Sequence, residues 1–408
     1  MTTLDRFNTK KKVVKDQIFK KYWWLKSILI PFITTRSLLV LTGYLAPLFL
    51  PFSHEEGVEI ANRGWWFFEN RLPDMWFRWD AFWYLTIVNE GYRMLGNLHT
   101  ISNLAFFPVY PLLIKFMVAL FPKQLINNQL IVTVGLILSN LMLLGSLFLI
   151  YKLCESLFDK ASAKLSVWLI LVFPTSFFLS SFYTESTLLF FSLLTLWLAK
   201  KQKWGWASIA AAITGASRPV GLMIALPLVW EYLRSKEWKL KKIDLSIFWL
   251  FLLPVGVLVF FSHSLYLTGD FFATLKIQGA WGKQYSNPIS SFLNPNRYWP
   301  LITNLDRIVI IGVILSAIKM ISMKNKGFES LLPWGIYSLL LIIPNLFTGI
   351  LDSTTRYAVV IFPVFMLMGH LLAKYLAKNK GVRLAIMVGL MVLQLVLFAR
   401  YSQFYWAG

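Results

Sequence analysis

The chain has 408 residues, of which 57% are hydrophobic and 14% are charged. A soluble domain usually carries about 25% charged residues, so this composition, with a mean hydropathy of +0.61, excludes an ordinary soluble globular protein. The net charge of +21 would suggest nucleic-acid binding in a soluble protein, but here the lysines and arginines fall in short loops between apolar runs. We therefore expect an integral membrane protein with no nucleic-acid partner.

The first 26 residues are rich in lysine, which favours the cytoplasmic side of a membrane. We predict that residues 1–26 form a cytoplasmic tail and that residues 27–408 form a single transmembrane domain. The apolar stretch of about 27–52 is too long for the core of a signal peptide, so it predicts an uncleaved first span. Arg36 lies inside this span, and we expect its side chain to snorkel toward the cytoplasmic surface.

The most polar long stretch follows, at about residues 53–102, and it combines acidic residues with many tryptophans and phenylalanines. This combination is typical of an external loop that lies on the membrane interface. The apolar run 104–121 carries two prolines and Lys115 and is short, so we interpret it as an interfacial or re-entrant helix. The predicted external loop therefore covers residues 53–128.

The rest of the chain alternates between apolar runs and basic loops. If 104–121 is not a span, every basic cluster falls on one side of the membrane, a second external segment covers 268–299, and the C-terminus lies outside. Internal repeats are not evident, which argues mildly against an inverted-repeat transporter. The sequence predicts about eleven spans, the first at 27–52 and the others at 129–151, 165–180, 187–199, 204–217, 219–233, 246–267, 300–320, 328–347, 357–376 and 384–400.

The sequence lacks the nucleotide-binding and metal-binding motifs of soluble enzymes. There is no G-x-x-x-x-G-K-[ST] motif and no G-x-G-x-x-G motif after a strand, and the four histidines have no ligand-like spacing. One cysteine, Cys154, excludes an intrachain disulfide. Chemistry should then take place at the external face or within the bilayer, on a reactive group that the membrane supplies, such as a polyprenyl phosphate.

Two acidic residues are candidates for that chemistry. Asp80, at the start of a helix in the first external loop, could accept a proton from an acceptor hydroxyl, or it could only cap the helix Ala81–Val88. Glu185 lies in the short turn 180–186 and could face a cavity, or it could be a loop carboxylate in water. The residues alone leave both alternatives open.

Two arginines are candidates for binding a phosphate. Arg218, at the tip of the hairpin 204–233, could clamp a phosphate with its planar donors or could anchor the interface. Arg356 could neutralise a phosphate leaving group or could form a salt bridge with Asp352. The segment from Asp270 to Lys283 is long enough to fold over a cavity.

The order of several short motifs carries a resemblance to a known family. These are Trp79-Asp80 with Gly91-Tyr92, Phe106-Phe107-Pro108, Phe173-Pro174-Thr175-Ser176, Tyr183-Thr184-Glu185, Ser217-Arg218-Pro219, Gly269-Asp270 through Trp281-Gly282, and Arg356-Tyr357 with Phe362-Pro363. Over about residues 30–370 the chain resembles the GPI mannosyltransferase 2 (PIG-V) family and its prokaryotic relatives, within the GT-C glycosyltransferases.

The resemblance implies an all-α GT-C-type fold with a large first external loop that holds the catalytic carboxylate. It implies inverting transfer of mannose from a polyprenyl-phosphate donor, with Asp80 as the base. Many GT-C enzymes carry two nearby acidic residues in this loop, whereas Asp80 is followed by Ala81, so we expect no metal and no other cofactor. The predicted donor- or substrate-binding residues are Arg78, Glu185, Arg218, Asp270, Arg356 and Tyr357.

The sequence therefore predicts a glycosyltransferase of a prokaryotic plasma membrane, with its active site on the external face. Its partners would be the lipid-linked donor, membrane lipids and an acceptor that is a glycolipid, a glycan or a protein. The alternatives are a multi-pass transporter or lipid scramblase, and a non-catalytic subunit. The latter would be favoured if Asp80, Arg218 and Arg356 lay far apart.

Overall fold

A computed structural model describes residues 22–53, 71–94, 96–294, 300–323 and 330–408. All regular elements among these residues are helical. The acidic residues Glu55, Glu56, Glu59 and Glu69 of the predicted external loop, and nearly all of the basic tail, lie outside the described residues. The α-helices are α1 (Ile30–Leu45), α2 (Arg71–Asp74), α3 (Ala81–Glu90), α4 (Val109–Val118), α5 (Asn128–Leu157), α6 (Lys160–Val172), α7 (Glu185–Lys200), α8 (Trp204–Gly215), α9 (Ala225–Ser235), α10 (Val255–Thr268), α11 (Ala273–Ile277), α12 (Pro288–Leu293), α13 (Pro300–Ser322), α14 (Leu332–Ile342), α15 (Thr354–Ala358), α16 (Phe362–Tyr375) and α17 (Lys380–Ser402).

Five helices in the described part of the chain are long and apolar enough to cross a membrane. They coincide with predicted spans, although their ends differ by a few residues. The other predicted spans contain helices of 11 to 16 residues, such as α7 and α14. The count of eleven spans remains a prediction. The five span-length helices are Leu25–Leu48, Asn128–Leu157, Leu245–Thr268, Leu301–Ser322 and Lys380–Ser402.

The apolar run 104–121 forms the ten-residue helix α4, which begins after Pro108. At 1.5 Å per residue this helix is about 15 Å long, roughly half of the hydrocarbon core. The interfacial interpretation stays a prediction, because helices of 11 residues also lie in predicted spans. Tyr110 fixes α4 to α5, because its hydroxyl donates to the carbonyl of Gly135 at 3.0 Å.

Arg36 does not snorkel to the surface as we expected. It is buried, and its guanidinium donates to the carbonyl oxygens of Leu171 and Ser176 and to the hydroxyls of Ser176 and Ser180. The physical reason is the break between α6 and α7, where the chain leaves backbone acceptors unpaired at membrane depth. Arg36 satisfies these acceptors and so ties the first span to residues 173–184.

A core rich in aromatic side chains lies beneath this break. Phe177, Phe178 and Tyr183 pack against Tyr401 of α17, with ring centroids 5.1 to 6.4 Å apart. Gly135 of α5 allows Phe182 to approach, since a Cβ atom at residue 135 would lie 2.2 Å from that ring. The break is therefore a packed, rigid segment that can hold side chains in fixed positions.

Candidate active site

A cavity of about 500 Å³ lies where seven segments of the chain converge. Its walls come from the start of α3, residues 105–107, the start of α7, the hairpin tip 217–220, the external segment 278–285, residues 341–360 and Trp406. Five of the seven residues predicted for the site line it: Asp80, Glu185, Arg218, Arg356 and Tyr357. Residues that are distant in sequence thus form one polar cluster.

Asp80 is held in place by Tyr183. The backbone N–H of Asp80 donates to the Tyr183 hydroxyl at 3.2 Å, and that hydroxyl donates to the carbonyl of Arg78 at 2.8 Å. Asp80 occupies the N-cap position of α3, but its side chain makes no capping hydrogen bond. Instead its carboxylate accepts from Arg356 Nη1 at 2.8 Å. Capping alone therefore does not account for this carboxylate.

Glu185 joins two arginines. Its Oε1 atom lies 2.7 Å from Arg218 Nη1 and 3.4 Å from Arg356 Nε. The Glu185 side chain is 1% exposed, which excludes a loop carboxylate in open water. Burial disfavours the charged form of both arginines. Glu185 and Tyr357 nevertheless keep the pKa of Arg218 above its ordinary value. Tyr357, Asp80 and Glu185 do the same for the pKa of Arg356. Arg356 pairs with Asp80 and Glu185, and not with Asp352 as the alternative interpretation required.

Arg356 is positioned through its neighbour Thr355. The N–H and hydroxyl of Thr355 both donate to Asp306 Oδ1 of α13, at 2.7 and 2.5 Å. The Thr355 carbonyl accepts from the Thr175 hydroxyl at 2.9 Å. Two elements distant in sequence thus fix the residue before Arg356, and this orients α15 toward the cavity.

Arg218 is positioned by a close approach of backbones. It precedes the 3₁₀ helix Pro219–Ile224, which turns back along α8. A Cβ atom at Gly221 would lie 2.0 Å from the carbonyl oxygen of Thr214, so only glycine permits this approach. The tight turn brings the guanidinium of Arg218 into the cavity against Glu185.

Tyr357 lies among three cations in the short helix α15. The predicted span 357–376 begins at this residue, but in the structure its helix α16 begins only at Phe362, so Tyr357 lies outside the spanning helix. Its hydroxyl accepts from Lys283 Nζ at 2.8 Å and from Arg356 Nη2 at 3.3 Å, and the Arg218 guanidinium lies 4.6 Å from its ring centroid. Burial opposes ionisation, but Lys283, Arg356 and Arg218 together lower the pKa of Tyr357 to about 7. Burial also raises the pKa of Asp352, although Lys283 opposes this.

The structure places Arg78 and Asp270 outside the cavity. Arg78 is buried, forms a salt bridge with Asp74 at 2.8 Å and donates to the Ser402 carbonyl, so it braces the loop beneath Asp80. Asp270 pairs with Lys276 and accepts from the Phe272 N–H, which stabilises the turn before α11. Neither side chain lines the cavity, so the geometry does not support direct contact of either one with a sugar donor bound there.

Several residues that shape the site were not predicted from the sequence. Lys283 ends the segment that is long enough to fold over a cavity, but it was not predicted as a site residue. Tyr183 carries no signal apart from the motif that it shares with Glu185. Asp306 is an acidic residue within a predicted span, and such a residue often marks a functional site. Trp406 reaches the cavity from the C-terminal segment, and no pattern in the sequence indicates this.

The arrangement combines a carboxylate that can accept a proton with three cations that can bind a phosphate. Glu185 and Trp406 line the cavity, and their Oε2 and Nε1 atoms are buried without a hydrogen-bond partner among the described residues. Over the same part of the chain, no group of three or more His, Cys, Asp and Glu side chains could hold a metal ion.

One family model matches part of the chain. The family model described as Mannosyltransferase (PIG-V) matches residues 26–224, just under half of the chain. This confirms the predicted resemblance over residues 26–224, while the motifs that follow residue 224 lie outside the match. No match was found among curated proteins.

Several solved structures have a similar fold. The apo oligosaccharyltransferase of Archaeoglobus fulgidus has a TM-score of 0.52 at 14% identity, covering 96% of this chain and 57% of that one. The same organism's AglB, in complex with an inhibitory peptide and a dolichol-phosphate, has a TM-score of 0.50 at 14% identity, with the same coverage. ArnT from Cupriavidus metallidurans bound to undecaprenyl phosphate has a TM-score of 0.51 at 13% identity, covering 87% of this chain and 62% of that one.

These likenesses support an all-helical membrane protein with a GT-C-type fold. The chain spans only 57% to 62% of the length of these three proteins.

Proposed function

Because the chain matches the PIG-V mannosyltransferase family over residues 26–224, we propose that it is an inverting mannosyltransferase that uses a polyprenyl-phosphate-mannose donor. The acceptor is a hydroxyl of a glycolipid, a glycan or a protein. The reaction takes place on the external face of a prokaryotic plasma membrane, with the N-terminus in the cytoplasm. This placement rests on the distribution of basic residues along the chain.

The observation that carries the proposal is the ion-paired cluster of Asp80, Arg356, Glu185 and Arg218 in one cavity. It counts against a non-catalytic subunit, which would not need these distant residues to meet. A carboxylate beside cations is what transfer from a sugar phosphate requires, since a proton leaves the acceptor while negative charge develops on the phosphate.

In the proposed reaction, the acceptor hydroxyl oxygen attacks the anomeric carbon as the bond from that carbon to the phosphate oxygen breaks. The electron pair of the broken bond leaves with the lipid phosphate, and Arg356 and Arg218 stabilise the added charge. Asp80 takes the proton of the acceptor hydroxyl. A single displacement inverts the anomeric centre, and the phosphate leaves without a second acid, in contrast to a glycosidase, which needs two carboxylates.

The lipid-linked donor has indirect support. Two proteins of similar fold were solved with a dolichol-phosphate and with undecaprenyl phosphate. In this chain, Leu188, Val220 and Leu341 line the cavity with apolar side chains, which suit the first isoprene units of such a lipid.

We further propose that transfer needs no divalent cation. Asp80 and Glu185 already have arginine partners, so their negative charges are balanced without a metal. Activity should therefore be unchanged, within about twofold, after dialysis against EDTA. Loss of activity that Mg²⁺ or Mn²⁺ restores would contradict this proposal.

The experiment that tests the reaction class uses the wild-type protein in proteoliposomes with radiolabelled polyprenyl-phosphate-mannose. We expect label to move to an extractable acceptor, with the opposite anomeric configuration in the product. Ion-dependent flux or lipid scrambling without a new glycosidic bond would favour the transporter or scramblase and would overturn the proposal.

A further inference from the structure

Lys283 is a cation that lines the cavity but belongs neither to the family motifs nor to the ion-paired cluster. It lies in the external segment between α11 and α12, and its Nζ atom is 2.8 Å from the Tyr357 hydroxyl and 4.8 Å from the ring centroid. Arg218 and Arg356 each pair with a carboxylate at 2.7 to 2.8 Å. Lys283 instead has a phenol as its hydrogen-bond partner, and Asp352 is its acidic neighbour.

Backbone hydrogen bonds hold the segment that carries Lys283 at the edge of the cavity. The N–H of Gln284 donates to the carbonyl of Thr348 at 3.1 Å, and the N–H of Ser286 donates to the carbonyl of Phe347 at 3.1 Å. These two bonds pair the external segment with the chain that leads to α15. The backbone on either side of this contact is thereby held in place, and the Lys283 side chain reaches the Tyr357 hydroxyl across it.

The Tyr357 hydroxyl is the point where the three cations converge. Lys283 and Arg356 donate to it, and the guanidinium of Arg218 faces the same ring. A position surrounded by cations from three segments suits an anion better than a neutral hydroxyl. A phosphate there would lie beside the Asp80–Arg356 pair, where the proposed transfer takes place.

On the basis of the proposed function, we propose that Lys283 is a direct ligand of the lipid-linked phosphate, which replaces the Tyr357 hydroxyl as the hydrogen-bond partner of Nζ. An ammonium group binds such a phosphate as a compact point charge, while Arg356 keeps its contact with Asp80. The same contact holds the donor before transfer and the lipid phosphate after it, so Lys283 contributes to the affinity for both.

The test compares binding of farnesyl phosphate and farnesol, which share one short prenyl chain and differ in the phosphate. Isothermal titration calorimetry on the full chain in lipid nanodiscs, corrected with empty nanodiscs, measures both affinities. The variants are Lys283→Met, which removes the charge, and Lys283→Arg, which keeps it. The matched control is Lys276→Met, because Lys276 lies in the same external segment but pairs with Asp270 outside the cavity.

We expect Lys283→Met to weaken farnesyl phosphate binding by roughly tenfold to a hundredfold, as loss of a charge-assisted hydrogen bond predicts, and to leave farnesol binding unchanged. Lys283→Arg should retain most of the affinity, and Lys276→Met should match wild type. Equal phosphate affinity in Lys283→Met and wild type would overturn the role of Lys283 while leaving the proposed transferase intact. If wild type does not prefer the phosphate to the alcohol, both this role and the proposed donor are wrong.

Discussion

Two residues with left-handed backbone conformations lie next to the candidate catalytic groups. Trp79, with φ of 55°, precedes Asp80, and Ser353, with φ of 69°, precedes the helix that carries Arg356. Such conformations cost about 1–3 kcal/mol each in residues other than glycine and persist where surrounding contacts enforce them. Here the Tyr183 and Asp306 hydrogen bonds supply part of that constraint.

The lowered pKa of Tyr357 predicts a pH dependence for donor binding. As the pH rises through about 7 the phenol loses its proton, and the resulting phenolate competes with the donor phosphate for Lys283, Arg356 and Arg218. The KM for the donor should therefore rise above pH 7, by up to about tenfold per pH unit. Tyr357→Phe, which cannot ionise, should remove this rise, and initial-rate measurements at several donor concentrations give the comparison. The same pH profile in both proteins would contradict the assignment.

At the scale of single residues, the sequence predicted the acidic and basic groups better than their contacts. Asp80, Glu185, Arg218, Arg356 and Tyr357 stand out in short motifs, and all five line one cavity. Lys283 and Asp306 could not be assigned, because their partners lie 74 and 49 residues away along the chain. Such contacts depend on how helices pack, and a residue pattern does not encode them locally.

At the scale of elements, the short helix α15 is the part on which the site most depends. It has only five residues and cannot be stable alone, so its position relies on tertiary contacts. Asp306 and Thr175 supply these contacts at Thr355. We therefore regard Asp306 as a positioning residue for Arg356.

Asp306→Leu should remove the two hydrogen bonds that position Thr355 and leave the buried N–H of Thr355 without an acceptor. An unsatisfied buried donor costs about 1–3 kcal/mol, so we expect the activity to fall by roughly tenfold or more. Asp306→Asn keeps an acceptor oxygen and should retain more activity than Asp306→Leu. Steady-state kinetics check this, with Asn304→Ala as the control because Asn304 is exposed on the same helix. Wild-type kinetics in Asp306→Leu would exclude the positioning role.

Apolar runs predicted where helices occur, but not where they break. The long helices α5, α13 and α17 follow from long runs that are mostly apolar. The break at 173–184 is stabilised by Arg36, which we had assigned to the membrane surface. An arginine that satisfies carbonyl groups of a distant segment cannot be distinguished, in one sequence, from an arginine that snorkels.

At the scale of the whole molecule, the orientation in the membrane is a prediction from charge. All basic loops fall on one side in this topology, which places the cavity on the external face. Cys154 is the only cysteine and it is buried, so single introduced cysteines can report on sidedness.

A cysteine at Ser290, which is exposed in the external segment, should react with a membrane-impermeant maleimide on intact cells. A cysteine at Lys241, which is exposed in a basic loop, should react only after the membrane is permeabilised. Wild type, with buried Cys154, is the control for background labelling. The reverse pattern would place the cavity on the cytoplasmic side and contradict the proposed orientation.

The central claim is that Asp80 is the base of a sugar transfer in this cavity. Its most direct test compares transfer of radiolabelled mannose from polyprenyl-phosphate-mannose by wild type, Asp80→Asn and Asp270→Asn. Asp270 is a matched control, since it is an acidic residue of the external segment that lies outside the cavity. We expect Asp80→Asn to reduce kcat by about 10²- to 10⁴-fold with thermal stability close to wild type, and Asp270→Asn to remain active. Full activity in a folded Asp80→Asn protein would contradict the account.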